Sequence, residues 1–188
     1  MSDDLKNIYE AAGKSDRFFD STTPIDLFRG QKTGDPFDLM QPTLIGWVVQ
    51  SSGRPRDPDV LLTDASGRSP QYKDGHPESE LVTEPRSKPT TAQLVSDASA
   101  YVVKGCRTLN GNFRGVSVFD KANNRLGGFD WFRIPSNTQI PPGLAVTRDG
   151  DRARPGESLH YTIAPKDDMP LSLFLQHLKG FSAVAKKA

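Results

Sequence analysis

Cysteine is almost missing from this chain: Cys106 stands alone among 188 residues. One thiol can form no internal disulfide and cannot build a cysteine-rich zinc site. No apolar run approaches the roughly 18–20 residues that cross a bilayer, so an integral membrane protein is not expected. Charge of one sign is also missing. With 24 basic and 23 acidic residues the formal net charge is +1, and no Lys/Arg block gives the footprint of a phosphate-binding surface. Nucleic acid is therefore not indicated as a partner. Histidine occurs three times, as His76, His160 and His177, too far apart to suggest a metal site. Met1 to Tyr9 lacks a long apolar segment, so no secretory leader is expected, and a reducing cytosol is the expected setting. There is no G-x-G-x-x-G, no Walker loop and no G-x-S-x-G elbow. Gly30 to Gly34 gives only a G-x-x-x-G in a polar stretch, which reads as a turn.

What is present describes a globular, loop-rich chain. Leu, Ile, Val and Phe make up 23% of the residues, above the level typical of disordered sequences, and the length suits one domain spanning 1–188. Leu5, Ile8, Tyr9 and Ala12 have helical spacing, with Ser2 as the expected N-cap and Gly13 as the stop. Strands are expected at Ile25 to Arg29, closed by Gly30, at Leu44 to Gln50, and at Asp59 to Leu62 before a turn at Asp64 to Gly67. From 67 to about 100, prolines interrupt any periodicity, and this stretch reads as a surface insertion with a short helix at Thr91 to Ala98. Further strands are expected at Tyr101 to Lys104, Gly115 to Asp120, Phe129 to Ile134, Leu144 to Thr147 and Ser158 to Ala164. Leu171, Phe174, Leu175 and Leu178 return to helical spacing, with Pro170 in the first turn. Helices flanking a run of strands, without helices between them, give an α+β fold with a mostly antiparallel sheet.

Three residues stand out. Arg29 shares a strand face with Ile25 and Leu27. It is either an edge arginine with its head in water or an anion clamp, because a guanidinium grips phosphate through two parallel bonds. His160 shares a polar row with Ser158 and Thr162 opposite Leu159, Tyr161 and Ile163, a row that also fits a solvent face. Ser117 shares a face with Phe119, and a buried strand serine satisfied by hydrogen bonds would account for it.

The order of the segments adds a resemblance. The run Gly115-Val116-Ser117-Val118-Phe119-Asp120-Lys121, then Ile134-Pro135, Ile140-Pro141-Pro142-Gly143-Leu144 and His160-Tyr161-Thr162-Ile163-Ala164-Pro165, resembles the ADP-ribosyltransferase-fold toxin family founded by the second type six secretion effector of Pseudomonas. Leu27-Phe28-Arg29-Gly30 is similar to that family's first-strand arginine motif, and Asp57-Pro58-Asp59-Val60 to a later segment. The match is good from about Gly115 to Phe181, continuing into the C-terminal helix.

The resemblance implies an ADP-ribosyltransferase-like split sheet and a cytotoxin that uses NAD as its substrate in a target-cell cytosol, with no metal. It also implies an immunity protein in the producing cell and a macromolecular acceptor of unknown identity. By the same resemblance Arg29 would hold NAD phosphate or ribose. Ser117 would brace the nicotinamide-side ribose or the strand pair framing the pocket, and His160 would be needed for toxicity. Ser117 and His160 are then the expected catalytic residues, and Phe119, Tyr161 or Trp131 could stack on nicotinamide. The family pattern has threonine where this chain has Val116. No catalytic carboxylate is evident, since Glu157 has the wrong parity to share a face with His160. Two other readings use the same fold: an NAD glycohydrolase, with water as acceptor, and a non-catalytic protein-binding module.

Overall fold

A computed structural model describes residues 4–31, 36–37, 62–64, 101–103, 105–107, 109, 115–122, 128–151 and 155–188. The strand expected at Leu44 to Gln50, the helix at Thr91 to Ala98, the 67–100 insertion and the Asp57 to Val60 segment lie outside these residues. The short N-terminal helix α1 (Leu5–Ala11) begins at Asp4, whose carboxylate accepts from the Lys6 amide at 3.1 Å, so Asp4 and not Ser2 is the cap. It ends at Gly13, where a φ of 67° makes glycine the easy residue. After a 3-10 turn at Ser15–Arg17 come β1 (Phe18–Phe19) and β2 (Leu27–Gln31). Next are β3 (Leu62–Asp64), β4 (Tyr101–Val103), β5 (Val116–Phe119), β6 (Asp130–Ile134), β7 (Leu144–Arg148) and β8 (His160–Pro165). The pair β9 (Met169–Pro170) leads into the helix α2 (Leu171–Val184), and β10 (Lys186–Lys187) follows.

Seven strands form one sheet in the order β1-β7-β8-β5-β2-β6-β10, and β3-β4-β9 form a second, three-stranded one. Every pairing between these strands is antiparallel. The expected α+β class with a mostly antiparallel sheet is therefore what the chain adopts. The expected strand at Ile25 to Arg29 begins two residues later, and Gly30 lies inside it instead of closing it. The cause is packing: Gly30 pairs with Trp131, and a Cβ there would press the indole at 3.2 Å. Three two-residue strands, β1, β9 and β10, carry too little pattern to be read from sequence.

Paired residues share a sheet face, which divides the core in two. Leu27, Val116, Val118, Ile134, Val146 and Ile163 point to one side, against Leu171, Phe174, Leu178 and Phe181 of α2. On the other side Ala145 and Ala164 meet Leu5 and Tyr9 of α1, with Phe18 and Cys106 completing a smaller cluster. Most of the buried apolar surface is on the α2 side. Leu178→Ala is expected to destabilise the fold by about 2–5 kcal/mol, read as a lower urea midpoint at an unchanged slope.

The entry to β2 is pinned by charge. Asp26 accepts from the Ser136 amide at 2.8 Å and from Arg133 Nη1 at 3.2 Å. The backbone bond to Ser136, aided by Arg133, holds its carboxyl below the usual carboxylate range. A carboxyl lowered in the folded state stabilises fully above its unfolded value, about pH 4, and loses that contribution as pH falls further. Asp26→Asn should thus melt below wild type at pH 6, with the gap closing towards pH 3 in thermal scans.

Candidate active site

The site is built on the α1-side face of the large sheet. In the β5–β8 ladder Ser117 pairs with Thr162 and Phe119 with His160, so all four side chains share that face. Thr147 of β7 pairs with Thr162 and extends the same row. Beyond Phe119 the face continues to Trp131 of β6, with ring centroids 6.1 Å apart and the rings edge to face. The His160 ring meets Phe119 edge-on at 5.2 Å. Ser117, Phe119 and His160 are half-buried, and the Trp131 ring is almost covered.

Beneath His160 lies a carboxylate that sequence reasoning did not find. Asp149 follows β7, and its amide donates to the His160 carbonyl at 3.0 Å. Its Oδ2 lies 2.5 Å from His160 Nδ1 and also accepts from the Thr162 hydroxyl, while Oδ1 accepts from Thr147 at 3.0 Å. The Asp149 side chain is only 4% exposed against 20% for His160. The polar row of β8 is consequently no solvent face. Thr162 is buried, and its hydroxyl and the imidazole both meet the same buried carboxylate. The signal in the sequence was parity: two residues past Thr147, Asp149 continues the face that Thr147 begins.

Arg29 is placed differently. It lies on the α2-side face with Leu27 and Gln31 and is 7% exposed, so its head is not in water. Strands β2 and β5 meet at the ladder pair Phe28–Phe119, and there the guanidinium bridges between them. Nη1 donates to the Ser117 carbonyl at 2.9 Å and Nε to the Pro36 carbonyl at 3.2 Å. The structure thus brings Ser117 and His160 onto one face and joins Arg29 to them through the backbone of Ser117. Tyr161 is buried in the α2-side core, away from that face, which leaves Phe119 beside His160 and Trp131 beyond it, against Phe119. Among the described residues, no three His, Cys, Asp or Glu side chains converge as a metal ion would require. Among the same residues, no helix is long and apolar enough to cross a membrane.

Compared with known families, residues 6–188 match the model described as the Tse2 ADP-ribosyltransferase toxin. The chain belongs to that family. A curated relative, Toxin Tse2 of Pseudomonas aeruginosa, is 37% identical over 67 residues, which is 36% of this chain and 42% of the relative. The aligned stretch is therefore less than half of that toxin's length. Membership of the Tse2 family agrees with the ordered motifs from Gly115 onwards. It also puts the Val116 departure in place. Val116 is fully buried on the α2-side face, paired with Ile163, whereas Ser117 faces the opposite way. A side chain at 116 packs in the core of this Tse2 family member and does not join the row that carries His160.

Proposed function

We propose that this chain is an NAD-consuming ADP-ribosyltransferase toxin that acts in the cytosol of a target cell, with the Ser117–His160 face as its substrate surface. The observation that carries this reading is the meeting of Ser117 and His160 on one half-open face beside Phe119 and Trp131, in a chain of the Tse2 family. In the reaction the bond between ribose C1′ and the nicotinamide nitrogen breaks. Its electron pair leaves with nicotinamide, and an acceptor nucleophile bonds to C1′ through an oxocarbenium-like state. Hydroxyl and imidazole groups suit the ribose, because they hydrogen-bond its hydroxyls without placing a second fixed cation there. Phe119, backed by Trp131, supplies the apolar surface for nicotinamide. Arg29, buried on the opposite, α2-side face, serves this surface in the proposal by holding β5 in place through the Ser117 carbonyl. An immunity protein in the producing cell belongs to the same reading.

The test is to incubate the full chain with NAD labelled separately on nicotinamide and on adenine, with and without lysate of a sensitive cell. Free nicotinamide together with adenine label on a macromolecule is expected, dependent on lysate. Nicotinamide release without lysate would replace transfer by hydrolysis. NAD left intact in both conditions would overturn the proposal.

A further inference from the structure

The mechanism above uses His160 but does not say which ring nitrogen meets the substrate. The surroundings of Asp149 answer this. An ionised carboxylate only accepts hydrogen bonds, and this one is buried with three side-chain groups on its two oxygens. Thr147 and Thr162 can turn their hydroxyls to donate. The ring nitrogen at 2.5 Å has to bring a proton too, or two lone pairs would face each other in a buried site. Two further contacts restrict the ring. The Asp149 amide is bonded to the carbonyl of His160 itself, so the acid cannot drift from the residue it serves. On the ring's other flank, Phe119 stands edge-on at 5.2 Å.

We propose that Asp149 is a positioning residue for His160, holding the imidazole in the Nδ1–H form so that it meets the substrate through Nε2. This rests on the function proposed above, and it assigns that site a detail the function does not require. In the Nδ1–H form Nε2 is a hydrogen-bond acceptor. The partner it selects is an O–H, from a ribose hydroxyl or an incoming nucleophile, and a carbonyl or phosphate oxygen is rejected. The carboxylate also offsets positive charge that the ring acquires when it takes a proton, while staying out of substrate contact itself.

The experiment compares wild type, Asp149→Ala and Asp149→Asn as full chains. Long-range proton–nitrogen spectra of histidine-labelled protein, taken above the ring's titration, read the tautomer. Growth arrest on expression and nicotinamide release read activity. Wild type should show His160 protonated on Nδ1. Asp149→Ala should give a mixed tautomer and lower both activities about 10- to 100-fold. Asp149→Asn can turn its amide nitrogen to Thr147 and its oxygen to the ring, so it should keep the tautomer and be more active than Asp149→Ala, while falling short of wild type for want of the negative charge. An Nε2–H ring in wild type overturns the proposal. So does a folded Asp149→Ala protein that keeps full activity, which is the outcome a merely structural carboxylate would give. If Asp149→Ala does not fold, wild type and Asp149→Asn still decide, since a changed tautomer with intact activity is equally fatal. Growth arrest does not presuppose NAD. Wild type that arrests growth without releasing nicotinamide would therefore remove the proposed function, while the Asp149 result would still be read from arrest.

Discussion

His160→Ala is expected to lower nicotinamide release and growth arrest about 100-fold or more, with the sheet still folded. The magnitude is that of removing a positioned proton-handling group from a reaction site. His160 sits where β8 begins, half-buried, with one side against Asp149 and another against Phe119. Alanine keeps the strand and its pairing with Phe119 while removing every ring contact. The folded state also loses something. Asp149 keeps the donors from Thr147 and Thr162 but loses the ring, a loss on the order of 1–3 kcal/mol for a buried acceptor. Set against a typical stability of about 5–15 kcal/mol, this lowers the melting temperature without unfolding the protein. Circular dichroism and a thermal melt on the same preparation as the activity assay separate the two effects. An alanine variant that is folded and fully toxic would remove His160 from the site.

The second large effect is on folding. Gly115 enters β5 directly against β8, and a Cβ there would sit inside contact distance of the Ile163 carbonyl oxygen and 2.6 Å from Thr162 Cγ2. The carbonyl is backbone and cannot swing aside. Any side chain at 115 must push β5 from β8, the pair that aligns Ser117 with Thr162 and Phe119 with His160. Gly115→Ala should therefore cost more than about 4 kcal/mol, beyond ordinary core substitutions. Little folded protein is expected, with weak near-ultraviolet dichroism and ready proteolysis at temperatures where wild type resists both. By contrast Gly128→Ala, where a Cβ would meet nothing within 4 Å, should cost only the strain of a positive φ.

The sequence foretold some parts of this molecule better than others, and the reasons differ. The helix at Leu171 and strand β5 declare themselves because each buries a periodic set of side chains. Strands β7 and β8 are instead buried along nearly their whole length and are legible from their apolar, β-branched content and the turns around them. Ser117 and His160 were singled out by alternation within their own strands, and the ladder then placed them on one face. Asp149 was missed although Thr147 was within an expected strand. Alternation puts Asp149 on the face of Thr147, but it does not say which strand lies alongside, and so not that His160 is its partner. Arg29 was caught between two readings, water or anion, because alternation gives a face but no distance. Its carbonyl partners come from Pro36, seven residues on, and Ser117, 88 residues on, and only the fold brings these together. Gly30 misled for a related reason. A glycine ending a short apolar run reads as punctuation, whereas here it makes room for an indole on another strand.

The strand order has a consequence for how this chain is made. Neighbours in the sheet are far apart in the chain: β2, near residue 30, lies between β5 and β6, beyond residue 115, and His160 completes a face begun by Ser117. Sheets closed by such distant pairings fold slowly compared with locally connected ones. A nascent chain emerging from the ribosome has no β8 until translation has passed residue 165, and none of the earlier strands can substitute for it. The Ser117–His160 face is thus incomplete throughout most of the chain's synthesis. Under the proposed function, damage to the producer would begin only with the folded product, and an immunity protein translated alongside would have that interval in which to be ready.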